Sequence, residues 1–228
     1  QWNIPYYGVQ DGDVVYYGYK GSQGNRFDSY LQRINPDGTL PWGINGSDFD
    51  TNQTNYEMAT RIAHQPGSQH IWAICTYTNT NQSEKGEYVQ KFDKDSGARL
   101  FTDQAKVIYP ISGDDHVHAG ALHILGELPL FLLKSGSDNG ASPTTLGAVL
   151  LDENGDFDWP EESRPMATYP ENKSRIHFTS PANGQSVAVF IEDKGSGNRI
   201  YAHNNTEEIL SIGDLNDTNS IFFENPLV

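Results

Sequence analysis

The feature that most constrains this chain is that it repeats itself. Residues 30–42 read YLQRINPDGTLPW, residues 88–101 read YVQKFDKDSGARLF and residues 147–159 read GAVLLDENGDFDW. Each run is an alternating apolar segment, then an Asp/Asn/Gly turn, then a short segment ending on an aromatic. The turn glycines Gly38, Gly97 and Gly155 are evenly spaced to within a single position, and the closing aromatics Trp42, Phe101 and Trp159 keep the same intervals. A chain built this way must bury the same kind of surface several times over.

The stretches between these runs correspond as well. VVYYGY at 14–19, IWAICTY at 71–77, LFLLKS at 130–135 and VAVFIE at 187–192 are short segments rich in branched and aromatic residues, the composition of strands. Each leads into a polar loop: KGSQGNRFD, TNTNQSEKGE, GSDNGASP or DKGSGNR. A further strand precedes three of them, at 57–65, 118–126 and 173–180. The unit is therefore about 58 residues holding four short strands, a period read off these spacings. A four-stranded sheet of this kind cannot bury its apolar face alone, but a radial stack of such sheets can. The pattern predicts an all-β chain, a β-propeller or part of one, with four-stranded antiparallel blades. About four units fit into residues 1–207. The last one loses the pattern after a strand near 199–204, so a partner chain that completes the ring is one expectation. A two-sheet sandwich is the rival all-β arrangement, but it does not require the recurrence.

Composition narrows the function. The chain has 228 residues, with 15 Lys and Arg against 30 Asp and Glu, a formal net charge of -15. That sign opposes a grip on a nucleic-acid backbone. The single cysteine, Cys75, excludes an internal disulfide and lies in a run that reads as buried. No run of 18 apolar residues is present, so no membrane-spanning helix is expected.

The tail, residues 208–228, reads EILSIGDLNDTNSIFFENPLV and is expected to be a linker. Leu210, Ser211, Ile212, Gly213 and Asp214, followed by Phe222, Phe223, Glu224, Asn225 and Pro226, resemble the opening of the C-terminal sorting domains of proteins exported by the type IX system of Bacteroidota. Glu224 stands where that pattern has a proline. The Tyr-Val-Gln-Lys-Phe-Asp strand with its glycine turn also resembles blades of secreted proteins from that phylum. These resemblances imply a secreted or outer-surface protein. Asp37-Gly38-Thr39 with Trp42 is similar to the Asp-box of propeller hairpins, with the aromatic one residue later than usual.

Candidate chemistry is spread thinly. Asp152, Asn154, Asp156 and Asp158 gather oxygen ligands around the third turn, and calcium takes six to eight of them. The late bidentate glutamate of a calcium loop is absent, and a turn capped by Asx side chains explains the same residues. His116 and His118 alternate, so on a strand they share a face and could hold a metal with a third ligand. His64 and His123 are one repeat apart and occupy equivalent places in the first strand, from which side chains can reach a central channel. Tyr16, Tyr17 and Tyr19 offer flat apolar faces with polar tips, suited to sugar or protein contacts. No nucleophile signature is present and no catalytic residue stands out. The expectation is a binding or structural domain that adheres to a glycan or protein partner, with the balance against an enzyme. The alternatives are a polysaccharide-active enzyme or its accessory domain, and a subunit of a surface or secretion-related assembly.

Overall fold

The computed structural model describes residues 3–23, 26–136, 143–206 and 221–222. It is all-β among those residues, with four antiparallel four-stranded sheets in chain order. The first is β1 (Asn3–Asp11), β2 (Val14–Gln23), β3 (Arg26–Ile34) and β4 (Ser47–Asp48). The second is β5 (Tyr56–His64), β6 (His70–Thr78), β7 (Lys85–Asp93) and β8 (Lys106–Ser112). The third is β9 (Val117–Leu125), β10 (Leu128–Ser135), β11 (Thr145–Leu150) and β12 (Arg164–Ala167). The fourth is β13 (Ser174–Phe178), β14 (Gln185–Asp193), β15 (Asn198–Thr206) and β16 (Ile221–Phe222). Each sheet is a meander in which neighbours in sequence are neighbours in space. The predicted blades are therefore present at the predicted period. Ile221 and Phe222 pair with Ala202 and Tyr201 and give the last sheet its fourth strand. The other residues of 208–228, including Leu210–Asp214, lie outside the described residues.

The sheets stack through their faces. The first strands follow one another around the stack, with β1 against β5, β5 against β9 and β9 against β13, so they form its inner edge. Three apolar clusters fill three seams. Tyr16, Leu31 and Phe49 of the first blade meet Ile62, Ile71, Ala73 and Tyr77 of the second. Trp72, Ile74, Val89 and Ile108 of the second meet Leu122, Phe131, Leu133 and Val149 of the third. Leu130, Leu132, Leu146 and Ala148 of the third meet Phe178, Ala188, Phe190 and Tyr201 of the fourth. Strand alternation explains why β6 is apolar at almost every position: Ile71, Ala73 and Cys75 face backward, whereas Trp72 and Ile74 face forward. In β14, Ser186, Ala188, Phe190 and Glu192 are buried and the residues between them are only half-buried.

The repeated glycine and aromatic turn out to be partners across a seam. Gly38, Gly97 and Gly155 have φ of 81°, 73° and 75°, the left-handed region that the turn requires. A Cβ on Gly97 would lie 2.7 Å from the ring of Trp42, and one on Gly155 would lie 3.0 Å from the ring of Phe101. The aromatic that closes one hairpin thus sits on the turn glycine of the next blade. Basic side chains add a second tie. Arg33 Nη1 donates to the carbonyl of Lys94 at 3.2 Å and to Asp95 Oδ1 at 2.9 Å. Lys91 Nζ donates to the carbonyl of Glu153 at 3.0 Å. Trp42 Nε1 donates to the carbonyl of Asp95 at 3.0 Å.

Candidate functional site

In an antiparallel meander the first and third strands start at the end where the second and fourth finish. The polar loops 79–84 and 194–197 leave from that end, and so do the crossings between blades at 49–55, 113–116 and 168–173. The buried charged groups gather there too. Between the third and fourth blades, Lys173 Nζ lies 2.6 Å from Glu192 Oε1, with both side chains closed to solvent. Between the second and third, His118 Nδ1 lies 2.7 Å from Glu87 Oε1.

The richest group lies between the first and second blades. Asp28 lies near the start of β3, Asp48 ends β4, Asp50 follows two residues later and Glu57 is the second residue of β5. Glu57 Oε2 accepts the Ser29 N–H at 2.8 Å, and Arg26 Nη2 lies 3.4 Å from Glu57 Oε1. Arg26 also binds the Asp28 carboxylate and the Asn52 carbonyl. Asp50 Oδ2 accepts the Tyr77 hydroxyl at 2.6 Å, while Oδ1 accepts the Asn52 N–H at 2.6 Å. Glu57 and Asp50 are both 1% exposed.

Burial pushes the Glu57 carboxyl well above the usual range, and the neighbouring charge of Asp50 adds to this. Asp48 is pushed up to about 6 by burial first, then by the charges of Asp28 and Asp50. Two guanidinium groups, Arg26 beside Glu57 and Asp28 and Arg99 beside Asp48, offset only part of the repulsion among the four carboxyls. Carboxyls whose environments push them to hold a proton are what general acid–base chemistry uses. None of these four acids stands out in the sequence. The usable signal is Glu57 heading an apolar strand, a position where an acid must be desolvated.

The residues expected to form sites are dispersed. Tyr16 is 1% exposed and packs against Trp42 and His64 in the seam. Tyr17 is exposed, and Tyr19 stacks on Tyr30 at 5.4 Å. His64 and His123 do not point into a channel: they lie in seams. His64 Nε2 is 3.2 Å from Asp11 Oδ2, with its side chain closed to solvent. His123 Nε2 meets the Phe178 carbonyl at 2.8 Å, and burial holds its imidazole below the ordinary range. His116 and His118 bond to different partners, Ser135 Oγ at 2.8 Å and Glu87. No group of three or more potential metal ligands occurs among the described residues.

Asp152 caps its own turn at the opposite end of the blades, where Oδ1 accepts the N–H of Asn154 at 2.8 Å and of Asp156 at 2.9 Å. Asp156 pairs with Lys106 at 2.6 Å, and Asp158 N donates to the Leu150 carbonyl at 3.0 Å. The carboxylates of Asp152 and Asp156 already have partners within the protein. Melting with and without a chelator such as EDTA is therefore expected to give the same midpoint, and a drop on chelation would restore calcium to this turn.

No family model matches the chain, and no curated protein matches it. Solved structures do. An endo-arabinase from Bacteroides thetaiotaomicron superposes with a TM-score of 0.51 at 15% identity, over 91% of this chain and 76% of that one. An α-L-arabinofuranosidase of Fusarium graminearum, in complex with arabinobiose, gives 0.54 at 10% identity over 89% and 62%. An α-L-arabinofuranosidase from Lactobacillus brevis gives 0.50 at 9% identity over 97% and 72%. The chain shares its fold with these glycosidases. It spans less than two thirds of the Fusarium enzyme. This finding corrects the expectation that weighed against an enzyme: these three structures that share the fold are named as an endo-arabinase and α-L-arabinofuranosidases. No helix among the described residues is long and apolar enough to cross a membrane.

Proposed function

We infer that this chain is a carbohydrate-active β-propeller, a glycoside hydrolase or the propeller portion of one, with its sugar site at the loop-bearing end of the first two blades. The observation that carries the reading is the gathering of four carboxyls, Asp28, Asp48, Asp50 and Glu57, at one seam, where burial and neighbouring charge raise Glu57 and Asp48. Glycoside hydrolysis needs one carboxyl that holds a proton for the leaving oxygen and one carboxylate that serves the sugar carbon or a water. Glu57 or Asp48 fits the first role, and Asp50 or Asp28 the second. The solved neighbours make arabinofuranosyl glycans the first substrates to offer. A secreted or surface location goes with a polymeric glycan substrate, and the likeness of the tail to sorting domains supports it.

The test is release of reducing sugar from arabinan and of aryl alcohol from aryl α-L-arabinofuranosides. Glu57→Gln is expected to lower kcat by about 100-fold or more, with Asp48→Asn as the parallel variant. Hydrolysis unaffected by either substitution sinks the assignment of roles. A second reading, glycan binding without cleavage, is favoured by the closure of Glu57 and Asp50 from solvent. Retarded migration of the protein in arabinan-containing gels, with no sugar released, selects it.

A further inference from the structure

His118 opens the inner strand of the third blade in an arrangement that packing alone does not require. Its side chain is 3% exposed. Glu87, wholly buried, receives the His118 N–H at 3.0 Å and the Thr76 hydroxyl at 2.9 Å on Oε2, and faces His118 Nδ1 at 2.7 Å with Oε1. A carboxylate that accepts two other donors is an acceptor toward the ring as well. Nδ1 therefore carries the proton, and in the neutral ring Nε2 carries the lone pair. Nε2 has no hydrogen-bond partner among the described residues. His118 lies opposite Leu133 as Arg61 lies opposite Ile74, so the second and third blades each place one polar side chain at the equivalent point of the inner edge. It also lies at the same end of the blades as Glu57.

We propose that His118 is a hydroxyl-binding residue for a sugar at this end of the propeller, accepting a hydroxyl proton at Nε2, with Glu87 as the positioning residue that fixes the tautomer. The inference rests on the carbohydrate reading above and adds a contact on a different blade. An acceptor with fixed direction discriminates between hydroxyl-bearing ligands, because a ligand without the hydroxyl leaves it unpaired.

The experiment is long-range ¹H–¹⁵N NMR on the full chain, with arabinobiose as the probe. The free protein is expected to show a protonated Nδ1 and a bare Nε2 at His118, and arabinobiose is expected to move the Nε2 resonance. His118→Asn is expected to weaken arabinobiose binding by about tenfold. The tautomer measurement stands on the unmodified protein, so it decides even if the variant folds poorly. A proton on Nε2 in the free protein, or unchanged affinity in a folded His118→Asn, overturns this inference and leaves the carbohydrate reading in place. Absence of arabinobiose binding by the unmodified protein removes both.

Discussion

Gly97→Val is expected to unfold far more readily than Gly38→Val, although the two glycines occupy equivalent turns. Both have positive φ, which costs a branched residue roughly 1–2 kcal/mol. Only at Gly97 does a new Cβ meet neighbours: the Ser47 hydroxyl, and the Trp42 ring at 2.7–2.9 Å. Nothing lies within 4 Å of the same position on Gly38. Overpacking adds about 1–3 kcal/mol, so Gly97→Val should lose about 2–5 kcal/mol and melt roughly 10 °C lower. Gly38→Val should fall by less than half as much. Equal losses would show that backbone strain alone governs these turns and that the aromatic contact adds nothing.

The second large effect is a loss of stability as pH rises from about 6.5 to 8. The folded Glu57 carboxyl sits well above its ordinary value of 4.5, so in that interval the native state keeps a proton that the unfolded chain has lost. Stability that is fully present below pH 4.5 then declines until the folded carboxyl ionises. One retained proton over this interval amounts to about 2 kcal/mol, or about 5 °C in melting temperature. Asp48 acts in the same sense but at lower pH, between its ordinary 3.8 and about 6. The half-buried histidines His123 and His203, held below 6.5, act in the opposite sense below that value. Glu57→Gln keeps the shape and removes the titration, so its melting temperature should be flat from about 6.5 to 8. The same slope in both proteins would place the responsible proton elsewhere.

Much of the fold was legible because its units recur within one linear pattern. Gly38, Gly97 and Gly155 declared themselves by spacing, and their backbone conformations follow from the turn they occupy. What the spacing hid was the partner: Trp42 reads as the end of its own hairpin, yet its contact is Gly97, in the turn of the following unit. Strand alternation showed that Tyr16 and Tyr17 point to opposite faces, but only the packing against Trp42 and His64 shows that Tyr16 is the inner one.

The carboxyl cluster was the least legible part. In a chain with 30 acids, Asp28, Asp48, Asp50 and Glu57 read as ordinary solvated charges. Their burial arises because the starts of β3 and β5, from different blades, face each other across a seam. The histidines misled for the converse reason. A rare residue at a repeated spacing suggested a shared site, but His64 and His123 each serve their own seam.

The division of labour between the two ends of the blades has an evolutionary consequence. One set of ties between units, Trp42 on Gly97, Phe101 on Gly155, Arg33 on Asp95 and Lys91 on Glu153, lies at the turn end. The polar loops 79–84 and 194–197, at the other end, take no part in them. Those loops can drift, lengthen or be grafted from a relative while assembly proceeds as before, so new specificities can be explored without repaying the cost of folding each time.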